Sequence, residues 1–154
     1  MTCRPAGCSD IPGLIRLRLA FLAELHGPLA EEESASFSAV LEDYFRRCLG
    51  KTLLCYLAEV DGAAVAAAML CIAEKPASRN TPTGVFGTVY SVYTQPAFRR
   101  RGISAALMRM MLEDGRARGL SYIELSATEL GAGVYREVGF EEKPSKYAPM
   151  IYLY

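Results

Sequence analysis

The chain has 154 residues, of which 51% are hydrophobic and 22% charged, a composition typical of one globular domain and not of a disordered chain. Lys plus Arg equals Asp plus Glu at 17 each, so the formal net charge is zero. A general nucleic-acid or anionic-membrane binder normally carries a basic excess. We therefore expect neither a nucleic acid nor a membrane as partner.

The five cysteines are odd in number and include no C-x-x-C pair, which indicates reduced thiols rather than disulfides or a metal site. Residues 63–73, the most apolar stretch, are too few to span a bilayer, and the first ten residues lack the apolar core of a signal peptide. These features predict a soluble cytoplasmic protein without a bound metal.

The N-terminal third of the chain reads as a short strand followed by two helices. Residues 2–6 are extended, and apolar residues at helical spacing predict a helix from residue 11 to about 25. After the Gly27-Pro28 break, the same spacing predicts a second helix over 34–49.

The apolar period then changes to that of strands. Residues 53–60 and 63–73 predict a hairpin, because Asp61-Gly62 between them supplies the positive φ angles of a tight turn. A polar loop over 74–84 leads into a third strand, residues 85–94, rich in β-branched and aromatic residues.

The remaining pattern predicts a helix from about 102 to 118, a strand over 121–127, a short helix over 129–138 and a final strand over 146–154. Strands and helices alternate without an internal repeat. This order predicts one α/β or α+β domain, residues 1–154, with a mixed sheet.

The arginine run 99–101 lies between the third strand and the following helix. The first N–H groups of a helix have no partner within it, and Gly102 would let an anion approach them closely. The alternative is a solvated basic turn. The segment lacks the Walker and dinucleotide-binding glycine patterns, which disfavours nucleotide hydrolysis and hydride transfer.

Two segments resemble the GNAT superfamily of N-acetyltransferases. VYTQPAFRRRGISAAL, residues 92–107, is similar to the family's acyl-CoA-binding motif, with Ser104 in place of the usual Gly or Ala. LSATELGAGVYREVGF, residues 125–140, is similar to its later strand, short helix and Gly-Phe. The resemblance implies a mixed, mostly antiparallel sheet flanked by about four helices.

It also implies acetyl-CoA as co-substrate and a direct transfer of the acetyl group to a primary amine. The strand backbone at Val92, Tyr93 and Thr94 would bind the pantetheine arm. The pyrophosphate would lie on the following turn, whose residues are Arg99, Arg100, Arg101, Gly102, Ile103, Ser104 and Ala105. Thr128 stands where many relatives carry an Asn that contacts CoA.

For catalysis, the resemblance makes Tyr135 the acid that protonates the leaving thiolate, and a packing aromatic is the alternative. Glu124 is at or next to a position where some relatives place a glutamate base, and a solvated carboxylate is the alternative. A water chain could also serve as base. His26, the only histidine, is a candidate acceptor-site residue or a cation at a helix end.

The acceptor, a small-molecule or peptide amine, should bind between the two N-terminal helices and the loop 74–84. Acidic residues there could attract an amine or could simply be solvated helix ends: Glu24, Glu31, Glu32 and Glu33. A non-catalytic acyl-CoA-binding or sensor module and an RNA-directed enzyme are the competing interpretations. The aromatic C-terminal strand could pair across a homodimer.

Overall fold

The computed structural model describes residues 1–145 and 147–154. The elements, in chain order, are β1 (Thr2–Pro5), α1 (Ile11–His26), α2 (Glu31–Cys48), β2 (Leu53–Val60), β3 (Ala63–Glu74), β4 (Val85–Thr94), α3 (Ile103–Ala117), β5 (Ile123–Glu124) and α4 (Glu129–Glu137). Short 3-10 turns at Cys8–Asp10 and Pro96–Phe98 precede α1 and α3.

The strands form one mixed sheet in the order β1-β2-β3-β4-β5. The first four strands are antiparallel, and β5 runs parallel to β4. The Asp61-Gly62 turn joins β2 to β3 with φ angles of +50° and +77°, as the hairpin prediction requires. The predicted mixed, mostly antiparallel sheet with four helices is confirmed.

Helices cover both faces of the sheet. Leu14, Leu17 and Phe45 of α1 and α2 are fully buried on one face, while Leu107 and Met111 of α3 are fully buried on the other. Each such side chain contributes about 1.5–3 kcal/mol of burial free energy. The central strand β3 is buried on both faces, which explains its continuous apolar run.

The second helix begins earlier than its apolar pattern predicted. It starts at Glu31 instead of residue 34, and Glu31, Glu32 and Glu33 form its first turn. Carboxylates are favoured there because the helix dipole is positive at its N-terminus. Apolar spacing alone does not register this polar first turn.

Of two strand predictions for the C-terminal third, the first is too long and the second is wrong. Only Ile123–Glu124 of the predicted strand 121–127 forms a strand, β5, which pairs with Gly87 and Thr88. Just before it, the Ser121 N–H donates to the Val85 carbonyl at 2.8 Å. Of the predicted strand 146–154, Lys146 lies outside the described residues and 147–154 form no strand. Pro149 lacks the N–H that a strand interior needs, and no described strand lies beside this segment.

Candidate functional site

The strand β4 has an edge that its neighbour covers only in part. β5 pairs with Gly87 and Thr88, and beyond this point no described strand pairs with that side of β4 as far as Thr94. The backbone N–H and C=O groups on this side of the stretch, other than the Thr94 carbonyl bonded by Arg99, are therefore available to an extended ligand, which could bind as an added strand.

A β-bulge bends β4 where β5 leaves it. Ala67 of β3 pairs with Tyr93, and Met69 of β3 pairs with Tyr90. One β3 residue therefore lies opposite two β4 residues, so β4 carries one extra residue. Ser91 takes a φ of +54° there. A non-glycine residue in this conformation costs about 1–2 kcal/mol, and such strain is typical of functional sites.

The turn after β4 opens the N-terminus of α3. Gly102 caps the helix at φ +73° and ψ 7°, and Arg100 has φ +60°. A Cβ built on Gly102 would meet no atom within 4 Å, so the space in front of the helix is open. Ala106 donates the first helical hydrogen bond to the Gly102 carbonyl, which leaves the N–H groups before it for a ligand.

The three arginines of the turn differ in their contacts. Arg99 donates its Nε–H to the Thr94 carbonyl at 2.9 Å and pairs with Glu24, which raises its pKa. Arg101 donates to the Ala97 carbonyl at 3.1 Å. Within residues 1–145 and 147–154 the Arg100 guanidinium has no such partner, so it is the most available cation beside the helix N-terminus.

The helix α4 packs against α3 and carries the predicted Tyr135. Burial raises the pKa of Tyr135, whose ring contacts Phe140 edge-on at 6.1 Å. A Cβ on Gly131 would lie 3.2 Å from the Tyr135 ring and 3.2 Å from Thr128 Oγ1. Gly131 is therefore explained by the tyrosine packing onto its own helix. Thr128 caps α4 by accepting from the Gly131 N–H at 3.2 Å.

A cavity of about 220 Å³ lies between α1, α2 and the same stretch of β4. The residues that line it are mostly apolar or aromatic: Arg18, Leu41, Tyr44, Phe45, Leu53, Met69, Cys71, Tyr90 and Ser91. Tyr44 Oη lies 3.3 Å from Cys71 Sγ, and burial raises the pKa of Tyr44. Among the residues that the structure describes, no carboxylate and no histidine lines the cavity.

Comparison with known proteins decides the family. The sequence profile of the Acetyltransferase (GNAT) family matches residues 19–140. The chain belongs to the GNAT family. The resemblance found in the sequence is thereby confirmed, and the acetyltransferase class with it.

Similar proteins include one curated relative and several solved structures. The GCN5-related N-acetyltransferase 1, chloroplastic, of Arabidopsis thaliana is 30% identical over 77 residues, which are 49% of this chain and 39% of the relative. A GCN5-related N-acetyltransferase from Ralstonia eutropha JMP134 is 26% identical with a TM-score of 0.79, covering 97% of each chain.

A predicted acetyltransferase from Clostridium acetobutylicum, whose structure contains acetyl-CoA, superposes with a TM-score of 0.80. It is 21% identical over 97% of this chain and 95% of its own, a similarity that establishes the fold.

The structure brings most of the predicted cofactor residues of this GNAT chain together. Val92, Tyr93 and Thr94 form the last residues of β4, and the turn joins them directly to α3. Thr94 Oγ1 and Ser104 Oγ lie 3.0 Å apart, so strand end and helix start are hydrogen-bonded to each other. Their role in binding stays a prediction.

The two predicted catalytic residues lie on opposite faces of the sheet. Tyr135 packs against the buried apolar cluster that includes Leu107 and Met111 of α3. Glu124 is half-buried on the other face, where its Oε2 lies 3.6 Å from Lys143 Nζ. Lys143 also contacts the ring of Tyr122. This is expected because Tyr122 and Glu124 are two residues apart along this extended segment and so share one face.

The acidic residues and the histidine predicted for the acceptor site do not line the cavity, and neither does the loop 74–84. The sequence analysis missed Arg18, Tyr44 and Cys71. The sequence held one signal for Arg18. It lies seven residues after Ile11 and four after Leu14, on the buried face of α1, where an apolar residue is expected.

Residues 1–145 and 147–154 contain no helix long and apolar enough to cross a bilayer. The same part of the chain has no cluster of three His, Cys, Asp or Glu residues suited to a metal ion. All five cysteines are described and free of disulfides.

Proposed function

We propose that this GNAT protein transfers an acetyl group from acetyl-CoA to a primary amine by direct attack of the amine on the thioester. The observation that carries the proposal is the continuous site formed by the open edge of β4 and the left-handed turn at the N-terminus of α3. An extended amide-containing arm ending in a pyrophosphate fits both parts.

Each part of the cofactor has a matching group in the chain. The β4 backbone from Val92 to Thr94 would hydrogen-bond the pantetheine amides. The N–H groups of Ile103, Ser104 and Ala105 would hold the pyrophosphate, with Arg100 adding charge. When bound, acetyl-CoA would supply an activated acetyl thioester.

The protons of the transfer can be assigned to groups of this chain and to solvent. The C–N bond forms as the C–S bond breaks, and the thiolate takes a proton from the Tyr135 hydroxyl, which then regains a proton from solvent. Burial favours the neutral phenol, so Tyr135 holds this proton at physiological pH. The amine loses its proton to water, directly or by a chain that reaches Glu124, because the cavity lining has no base.

A non-catalytic acyl-CoA-binding or sensor module is the second candidate. The absence of a carboxylate or histidine among the residues that line the cavity favours it. It shares the cofactor site with the first candidate and differs only in lacking turnover.

The two functions are separated by measuring acetyl-CoA binding and thiol release on the same preparation. We expect thiol release that depends on both the protein and an added amine from a broad panel, with an acetylated product seen by mass spectrometry. Calorimetric binding of acetyl-CoA with no product from any amine would support the sensor. Failure to bind acetyl-CoA would overturn both.

A further inference from the structure

Arg18 is a cation without a counter-ion in the cavity between α1, α2 and β4. Its side chain is half-buried, and burial lowers its pKa, although an arginine remains protonated. In the part of the chain that the structure describes, it has no hydrogen-bond or ion-pair partner. The guanidinium makes a cation–π contact with the ring of Phe21, with Cζ 5.4 Å from the ring centroid.

This environment is unlike that of the other arginines. Six of them pair with carboxylates of the described chain: Arg4, Arg46, Arg47, Arg99, Arg109 and Arg136. Those that pair with no carboxylate of the described chain are exposed to water: Arg16, Arg79, Arg100, Arg101, Arg116 and Arg118. A partly buried charge is costly unless it is paired, so Arg18 is expected to find its anion in a ligand.

The position of Arg18 connects this anion to the proposed reaction. Phe21, which lies under the guanidinium, contacts the ring of Tyr93 at 6.0 Å, and Ser91 at the bulge of β4 lines the same cavity. A ligand bound to Arg18 would therefore extend toward the open part of β4. The remaining walls are apolar, among them Leu41, Phe45 and Met69.

We propose that Arg18 binds the carboxylate of the acceptor, and that the acceptor is a small amino acid-like molecule with an apolar side chain. This inference rests on the proposed function, because it names the substrate class of that site. A carboxylate fits because a guanidinium can donate two parallel N–H bonds to it and the charges cancel. The small cavity favours a single residue-sized molecule over a long peptide.

The direct test compares amino acids with their own carboxamides, which keep the amine and side chain and lose the charge. Thiol release from acetyl-CoA is measured with leucine and leucinamide, phenylalanine and phenylalaninamide, and the other amino acids in the same pairs. We expect wild type to prefer the acids by at least about tenfold in kcat/KM, the loss typical of a charge-assisted hydrogen bond. An equal or better rate with the amides would overturn the proposal.

Two variants on the same helix identify the residue responsible. Arg18→Met keeps the apolar stem and removes the charge, and we expect it to raise KM for the acids about tenfold or more while kcat changes little. Arg16→Met is the matched control, since Arg16 is exposed and only donates to the Ala64 carbonyl at 2.8 Å. A KM for the acids that is the same in Arg18→Met and wild type would contradict the proposal.

Binding without chemistry distinguishes this inference from the proposed function. Calorimetry with N-acetyl amino acids and their amides, with and without CoA, requires no turnover. Arg18-dependent binding of the acids would support the inference even if no amine were acetylated, and the proposed function alone would then fail. The inference is wrong if no acid binds or if Arg18→Met binds the acids as well as wild type does. It is also wrong if the protein prefers phosphoethanolamine, an amine with a phosphate in place of the carboxylate, over the amino acids.

Discussion

Arginines next to each other in the chain have very different surroundings. Arg99 and Arg101 are held by acceptors of the protein, whereas Arg100 sits at a left-handed backbone position without a partner in the described chain. Arg99 links the end of β4 to α1 through Glu24. Among the three, Arg100 is therefore the residue from which an anion would gain most, and Arg99 contributes to the site by fixing the turn.

At the same scale, Tyr135 carries a prediction with a defined pH dependence. Burial raises its pKa, so the phenol keeps its proton beyond pH 10 and no alkaline loss of activity arises from it below that pH. Tyr135→Phe should lower kcat about 100-fold near pH 7. The deficit should shrink above the thiol pKa of roughly 8.5, where a thiolate leaves without protonation.

The measurement is a kcat–pH profile from pH 6 to 10 for wild type and Tyr135→Phe. Tyr122→Phe is the control, because the hydroxyl of Tyr122 accepts from Lys75 Nζ at 2.6 Å and Tyr122 does not line the cavity. Turnover of Tyr135→Phe equal to that of wild type at every pH would rule out the acid role.

At the scale of elements, the contact between β2 and α3 is a buried polar bond under the cofactor helix. The fully buried Tyr56 donates its hydroxyl to Asp114 Oδ2 at 2.9 Å. Burial and this bond raise the pKa of Tyr56, so the neutral phenol is favoured in the folded state. The stabilisation from the neutral Tyr56 is complete below about pH 10, the pKa of tyrosine in the unfolded chain, and it declines as the pH rises beyond that pKa.

Tyr56→Phe should therefore lower the free energy of unfolding by about 1–2 kcal/mol at pH 7, because it leaves Asp114 without its donor. Urea denaturation measures the change. Asp114→Asn, which keeps an acceptor oxygen at the same place, should cost less than Tyr56→Phe. A Tyr56→Phe protein as stable as wild type would show that the bond contributes nothing.

The sequence predicted elements better than it predicted how they meet. The bounds of β4 and of the β2–β3 hairpin were close to those observed, because their periodicity and turn residues are local signals. The bulge at Ser91 was not predicted, since it depends on the register between β3 and β4. Arg18 was missed for a similar reason: its cavity is formed by distant segments of the chain.

At the scale of the whole molecule, the last residues of the C-terminal segment, 150–154, present an apolar surface to solvent. Met150, Ile151 and Leu153 are between 78% and 95% exposed. We propose that a second copy covers this segment, because a contiguous exposed apolar stretch typically marks an interface. This replaces the predicted C-terminal strand as the basis for a homodimer.

Light scattering after size exclusion should give the mass of a dimer for wild type when the protein concentration is varied about tenfold, from roughly 10 to 100 µM. Ile151→Asp should shift it toward the monomer. Leu130→Asp is the control, since Leu130 is an equally exposed apolar residue on α4. A monomer at all concentrations, or a dimer that Ile151→Asp leaves intact, would contradict the assembly.

The central claim is that the turn at Gly102 holds the pyrophosphate of acetyl-CoA. Calorimetric Kd values for acetyl-CoA in Gly102→Leu and Gly119→Leu test it most directly. Both glycines have similar φ, +73° and +70°, and both have open space at the Cβ position, so the two substitutions cost similar backbone strain. They lie at opposite ends of α3, and only Gly102 faces the proposed cradle.

We predict that Gly102→Leu weakens acetyl-CoA binding at least about tenfold, because its side chain would fill the space in front of the helical N–H groups. Gly119→Leu should bind as wild type does. The loss in Gly102→Leu should also exceed that of alanine at Arg99, Arg100 or Arg101. Equal Kd values for Gly102→Leu and Gly119→Leu would contradict the account.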